Sequence, residues 1–494
     1  MLNILVFGQS YLGKIGGVQQ SYAWLYAYLC ARGHRVTHVT HLPLGENGMQ
    51  YPFPDAVEVR SINTSFGGNA AARVRALARE VDPDVVLVVN SSRWALEFCA
   101  PLRETPYPVI LSERGSPPYC ICALWKSRRL HELAVWNVDF LHMLMPSYPE
   151  ALPPELRERV RVISSLTLEA ARSASPAVPG ASGGWALLYT GRVSPEKQLP
   201  LLVRAFALLA PRFPQWRLRL VGEGPERGAI EAAIREAGID DRVELPGHTA
   251  SPEHLCEQYA AGHLYCLPSS FEGCPLALRE AMAHGLPVVG FAGCSGTNEI
   301  IIQNRNGLLA PEMTDRSLAD SLEQLMADGR RREALGAAGR QDVKRYAPEK
   351  THAAWEALLA EAAGWKGRKG RLRLRRCLRH PLRALWYALQ PMPRVQEHMP
   401  DIFAPSPRAW LGQVPPQWQD FALLNFFHRH GLVPPAPDRA IMEYESHICH
   451  ALKSATPGTR PAGAVRAKNA AALAIRHGIR LKNLYAHTPD EENC

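Results

Sequence analysis

One pattern constrains this chain above all others: short apolar runs alternate with stretches of helical period, and the alternation occurs twice. Leu2–Phe7, Arg35–Thr40, Val85–Val89 and Val109–Leu111 are brief and rich in β-branched residues, as strands covered on both faces of a parallel sheet are. Helical spacing at Val18–Ala31, Ala70–Val81, Trp94–Ala100 and Ser127–Asn137 separates them. Such alternation predicts a doubly wound α/β lobe. Ser173–Gly184 is small, uncharged and rich in proline and glycine, which is how a linker reads. The alternation then restarts, with strands predicted at Ala186–Tyr189, Arg217–Val221, Val243–Leu245, His263–Leu267 and Pro287–Phe291. Helices are predicted at Leu199–Ala210, Arg227–Ala237, Pro252–Tyr259 and Leu276–His284, and two more, Ser317–Ala327 and Thr351–Ala363, are expected to close the second lobe.

The resulting domain map is 1–172 for the first lobe, 173–184 for the linker, 185–365 for the second lobe, 366–390 for a basic amphipathic segment and 391–494 for an extension of unknown role, with helical stretches expected at Arg439–Lys453 and Ala464–Arg476. At 494 residues the chain is too long for one core, since a domain takes roughly 100–200. The 46% hydrophobic content fills such cores and excludes wholesale disorder.

The formal charge of +9 is local. Nine bases and no acid lie between Lys366 and Arg383, and the remaining 47 bases balance the 47 acids. Leucines and Trp386 interleave with those cations, so 366–386 reads either as an interfacial helix on an anionic membrane or as a solvated linker. Nucleic acid is set aside as a partner, because no recognised binding module accompanies the charge. The N-terminus has no charged region before its apolar run, and no stretch of about 18 apolar residues occurs, so neither a signal peptide nor a spanning helix is expected. The eleven scattered cysteines are then expected as reduced thiols, and the location as cytoplasmic, peripheral on the inner face of the cell membrane.

Chemistry concentrates in three places. Gly13-Lys-Ile-Gly16-Gly17 opens the first helix, where adjacent glycines let a backbone approach an anion at a helix N-terminus, although such loops are also ordinary turns. Gly191-Arg192-Val-Ser-Pro-Glu-Lys197 puts two fixed cations just past a strand, suited to a departing diphosphate. Glu272-Gly273-Cys274-Pro275-Leu276, followed by Glu280, sets two carboxylates eight apart across a turn and a helix start, and carboxylates accept hydrogen bonds from sugar and ribose hydroxyls. Gly222-x-Gly224 lacks the third glycine of a dinucleotide site and reads as a structural turn. His34, His38 and His284 read as structural.

Gly-Arg-x4-Lys, Val221-Gly-Glu-Gly-Pro-Glu-Arg227, the Glu-x7-Glu segment, and Asn298-Glu-Ile-Ile with Asn306-Gly-Leu-Leu together resemble family 4 of the retaining glycosyltransferases, from the first strand to about Trp365. The resemblance implies the GT-B fold, two facing Rossmann-like domains with an interdomain cleft. It implies a nucleotide-sugar donor as substrate, with no cofactor and no metal. Arg192 and Lys197 would hold the donor diphosphate, Glu272 the transferred sugar and Glu280 the ribose, with Gly16, Gly17, Gly191 and the backbone of Gly273, Cys274, Pro275 and Leu276 also facing the donor. Ser112-Glu113-Arg114-Gly-Ser-Pro117 resembles a segment of members that extend bacterial surface polysaccharides, which makes Glu113 and Arg114 acceptor-side candidates, or else a buried ion pair. Family members often carry a cleft histidine on this lobe, and none stands in this segment. The expected reaction is transfer of a hexose-type residue from a nucleotide-activated donor, expected to be a UDP-sugar, onto a lipid-linked saccharide or lipopolysaccharide. The competing readings are a membrane-associated scaffold that only binds a nucleotide-sugar, and a GT-B-like sugar-nucleotide epimerase.

Overall fold

The structure, a computed structural model, describes residues 1–8, 17–40, 53–62, 70–89, 95–117, 120–121, 128–180, 183–249 and 251–373. Gly16, the distal part of the basic segment and the whole of 391–494 lie outside the described residues. Among the described residues the chain divides into two compact units, 1–165 with 349–373, and 166–348.

Seven parallel strands form the first unit's sheet, in the order β3-β2-β1-β4-β5-β6-β7. They are β1 Asn3–Gly8, β2 Arg35–Thr40, β3 Glu58–Ser61, β4 Val85–Val89, β5 Val109–Ser112, β6 Phe140–Met143 and β7 Val160–Val162. Every side chain of the Val-Val-Leu-Val-Val run of β4 is buried, as a strand covered on both faces requires. Strands β3 and β7 are edges carrying Glu58, Arg60 and Arg161, so no apolar run betrays them. Strand β6 is buried, but it follows the helix Arg128–Asn137 with only two residues between, and no turn signal separates the two.

Six parallel strands form the second unit's sheet, in the order β10-β9-β8-β11-β12-β13. They are β8 Trp185–Thr190, β9 Trp216–Val221, β10 Val243–Gly247, β11 Leu264–Leu267, β12 Val288–Phe291 and β13 Gly307–Ala310. Its helices start on side-chain caps where the sequence supplies them. Ser251 accepts from the His254 amide at 3.2 Å, Thr314 from Ser317 at 3.1 Å and Asp328 from Arg331 at 2.9 Å. Ser173–Gly184, expected as a linker, is fastened to this unit along its described residues. Ala174 donates to the His284 carbonyl at 2.7 Å, and Arg332, lying over the rings of Trp185 and Trp216, donates to the Pro176 carbonyl at 2.8 Å.

One expectation is overturned. The helix Pro348–Ala363 does not close the second lobe but packs into the first unit, where Trp355, Leu358, Leu359 and Ala362 share a core with Ile4, Val6, Leu87 and Phe140. An apolar stripe announces that a helix is buried without saying against which sheet. Here the Trp355 ring meets that of His142 at 4.5 Å, and Glu356 and Glu361 pair with Arg32 and Arg161. The described start of the basic segment, 366–373, is fastened to the same unit. Lys366 pairs with Asp82 and Asp84, while buried Lys369 and Arg373 both pair with buried Asp139. Two of the cations expected to face an anionic membrane, Lys369 and Arg373, are thereby committed to a buried carboxylate. Asp84 also accepts from the Asn3 amide at 2.8 Å. Among the described residues no helix is long and apolar enough to cross a membrane.

Candidate functional site

In the second unit the chain runs from β8 outward through β9 to β10, then returns to β11 on the other side of β8 and proceeds through β12 to β13. The order therefore reverses between β8 and β11. Open α/β sheets bind ligands beyond the carboxyl ends of the strands at such a reversal. The two loops that leave these strands are the ones that carry Gly191–Lys197 and Glu272.

The loop after β8 is pressed onto the one after β9. The Gly191 amide donates to the Val221 carbonyl at 3.0 Å and the Val193 amide to the Glu223 carbonyl at 2.9 Å. Gly191 and Gly222 have φ of 142° and 145°, a region that side chains disfavour. A Cβ on Gly222 would overlap the Gly191 carbonyl oxygen, and one on Gly224 the Val193 carbonyl oxygen. Gly222-x-Gly224 is thus a close-packing turn, and its function is to let residues 191–193 lie flat.

On that platform the charges gather. Lys197 forms an ion pair with Glu272, and both side chains are largely buried, at 15% and 11% exposed. The Ser269 hydroxyl also donates to Glu272, at 2.7 Å. Arg192 is 58% exposed and donates to Glu196 at 3.0 Å, while Ser194 donates to the same carboxylate oxygen at 2.6 Å. Burial alone would raise the Glu196 carboxyl, yet Lys197, Arg192 and Ser194 hold it below the usual carboxylate range. The loops are joined by backbone as well, since the Ser270 amide donates to the Glu196 carbonyl at 2.9 Å.

Glu280 lies on the helix Leu276–Ala283 and accepts from the Tyr259 hydroxyl at 2.8 Å; that hydroxyl also hydrogen-bonds Thr190, the last residue of β8, at 2.7 Å. Burial pushes the Glu280 carboxyl up, against the opposing pull of Tyr259 and Arg279. Arg192, Lys197 and Glu272 are thus held by one set of contacts between the loops after β8 and β11, while Glu280 is tied separately to the end of β8 through Tyr259 and Thr190. The helix that follows Glu272 starts at Pro275 without a side-chain cap. Pro275 has no N–H, so of the four residues expected to present backbone donors only Gly273, Cys274 and Leu276 can do so.

In the first unit, Gly17 is the exposed first residue of the helix Gly17–Ala31. Glu113 is 1% exposed and pairs with His131 at 2.9 Å. Neighbouring Arg114 is half-buried, donating to Ser165 at 2.8 Å over the Tyr22 ring. Behind it, Tyr22, Ser112 and His142 form a buried hydroxyl–hydroxyl–imidazole chain, each link 2.7 Å, and burial drives the His142 imidazole down to about 3. The histidines read as structural are so engaged. His34 accepts from the Leu2 amide, His38 bonds the Tyr26 hydroxyl, and His284 stacks on Tyr259.

The family model described as glycosyl transferases group 1 matches residues 174–342. The second unit is a group 1 glycosyltransferase domain. An exopolysaccharide phosphotransferase of Streptomyces coelicolor is 33% identical over 218 residues, 44% of this chain, and the chain spans only 21% of that protein. Two solved structures share the fold across both units. A lipopolysaccharide outer core galactosyltransferase superposes with a TM-score of 0.58 at 15% identity, covering 72% of this chain and 99% of that one. An Anabaena protein in complex with UDP and glucose does so with a TM-score of 0.57 at 18% identity, covering 72% and 98%. The fold is GT-B.

Several residues that complete the glycosyltransferase domain's charge cluster escaped the sequence. Glu196 stands four residues from Arg192 in the same loop and Ser269 three before Glu272, so local spacing could have found both. Tyr259, sequence-distant from Glu280 and on a helix of its own, gave no such signal. His131 supplies a histidine beside Glu113 from the helix Arg128–Asn137, outside the Ser112–Pro117 segment.

Proposed function

We propose that this chain is a retaining glycosyltransferase that moves a hexose-type sugar from a UDP-sugar to a saccharide or lipid-linked acceptor. The observation that carries the reading is the clustering of Arg192, Lys197, Glu272 and Glu280 at the strand reversal of the second unit. Donor cleavage leaves a diphosphate with several negative charges, and fixed cations stabilise it without reorganising at the moment of reaction. Arg192 and Lys197 take that part in place of a metal ion. Glu272 accepts hydrogen bonds from the transferred sugar and Glu280 from the ribose, while the N–H groups that open the helix Leu276–Ala283 add a positive helix end. The acceptor hydroxyl attacks from the face the diphosphate leaves.

The choice of donor is supported by the Anabaena neighbour, which holds UDP and glucose, and the acceptor class by the galactosyltransferase of the lipopolysaccharide outer core. In the first unit, half-buried Arg114 is the acceptor-side candidate, whereas Glu113 is enclosed with His131 and has no surface to offer.

The test supplies the full chain with UDP-glucose, UDP-galactose and UDP-N-acetylglucosamine in the presence of cell-envelope lipids, and measures UDP release and the sugar gained. One donor is expected to be consumed with transfer, and Glu272→Ala is expected to lower turnover by about a hundredfold or more with an unchanged circular dichroism spectrum. Undiminished turnover in Glu272→Ala removes that carboxylate from the site.

A further inference from the structure

We infer that Glu196 is a positioning residue for the donor diphosphate: it aims the Arg192 guanidinium and locks the loop carrying both cations to the loop carrying Glu272. The inference rests on the reading of that cluster as a nucleotide-sugar site.

The pair Arg192–Glu196 has the four-residue spacing of ordinary surface ion pairs, but not their exposure. Arg192 is 58% exposed, whereas Glu196 is 16% exposed. The carboxylate is the fixed member. Its Oε1 receives the Ser194 hydroxyl at 2.6 Å and Arg192 Nη2 at 3.0 Å, and Ser194 is buried. A long, exposed arginine pays in rotamer freedom when a ligand immobilises it, and an anchor that restricts it beforehand lowers that cost. One carboxylate oxygen occupies one arm of the guanidinium fork and leaves further N–H donors for phosphate oxygens.

The main chain of the same residue supplies the second half of the role. The Glu196 carbonyl accepts from both the amide and the hydroxyl of Ser270, at 2.9 and 3.3 Å. Ser270 stands between Ser269, which donates to Glu272, and Glu272 itself. Lys197, the next residue in the chain, pairs with Glu272. A shift at residue 196 is therefore felt by Arg192, Lys197 and Glu272 together.

Calorimetric titration of the full chain with UDP tests this, using Glu196→Ala, Glu196→Gln, Glu196→Asp, Arg192→Ala and the double variant Arg192→Ala with Glu196→Ala. Arg192→Ala and Glu196→Ala are each expected to weaken UDP binding by about tenfold. Glu196→Gln, whose amide oxygen still accepts from Ser194 and Arg192, should stay within about threefold of the parent. Glu196→Asp, with the charge but not the reach, should behave like Glu196→Ala, and it reads the same geometry if the alanine variant fails to fold. The double variant should bind no more weakly than Arg192→Ala, because the carboxylate acts through that guanidinium while the carbonyl bonds of residue 196 to Ser270 remain in every variant. Unchanged or tighter binding in Glu196→Ala and Glu196→Asp overturns the inference, and so do losses that multiply in the double variant. If the parent chain binds no UDP, the functional reading fails along with it; if it binds UDP and only Arg192→Ala weakens it, this inference alone fails.

Discussion

At the scale of single residues, the site depends on backbone contacts as tight as any in a core. Gly222 combines a φ of 145° with a missing Cβ that would overlap the Gly191 carbonyl, so Gly222→Ala both strains the backbone and pushes the Arg192 loop outward. It should cost about 3 kcal/mol. Gly228, exposed in the first turn of the helix Arg227–Ala237 with nothing near its Cβ position, is the matched control. Gly228→Ala should be neutral or stabilising by up to about 1 kcal/mol. Urea midpoints for the two variants check the contrast, and equal midpoints would mean that the close approach of the two loops is wrongly placed. Sequence reasoning recognised Gly222-x-Gly224 as a turn because a dinucleotide fingerprint needs more than two glycines. It could not see that the turn supports Gly191, because the carbonyl it must clear lies some thirty residues earlier in the chain.

At the scale of elements, the helix Pro348–Ala363 belongs energetically to the first unit. Trp355 is 4% exposed within that unit's core and touches the His142 ring. Trp355→Ala should destabilise the first unit by about 3–5 kcal/mol. Hydrogen exchange checks it: amides of β6 are expected to lose protection while those of β8 keep theirs, and the reverse pattern would return the helix to the second unit. The strands with continuous apolar runs, such as β4 and β12, were legible because burial on both faces leaves no other composition. The edge strands β3 and β7 were not, since one row of their side chains meets water and reads as loop. The site was legible in the same unequal way. Arg192, Lys197, Glu272 and Glu280 stand in local motifs, whereas Tyr259 and His131 act only through contacts that the fold creates between distant segments.

At the scale of the whole molecule, both units bury neutral imidazoles. Burial drives His38 to about 4 and His142 to about 3 in the first unit, and His263 to about 4 in the second. An unfolded histidine takes up its proton near 6.5, well before these folded ones do, so stability falls as pH drops from about 6.5 towards 4. Glu97 works in the opposite sense. Burial pushes it up to about 7, so below that pH the folded state holds the extra proton and gains stability. Three imidazoles outweigh that carboxyl, and melting temperatures recorded from pH 7 to pH 4 are expected to decline through this window; a flat profile would mean that the imidazoles are solvated. The position of a bound nucleotide decides the function of both units. The most direct measurement is a crystal structure of the full chain with UDP. The diphosphate is expected beyond the carboxyl ends of β8 and β11, in contact with Arg192 and Lys197 and beside the Leu276 amide; a diphosphate bound anywhere out of reach of those two cations contradicts the account.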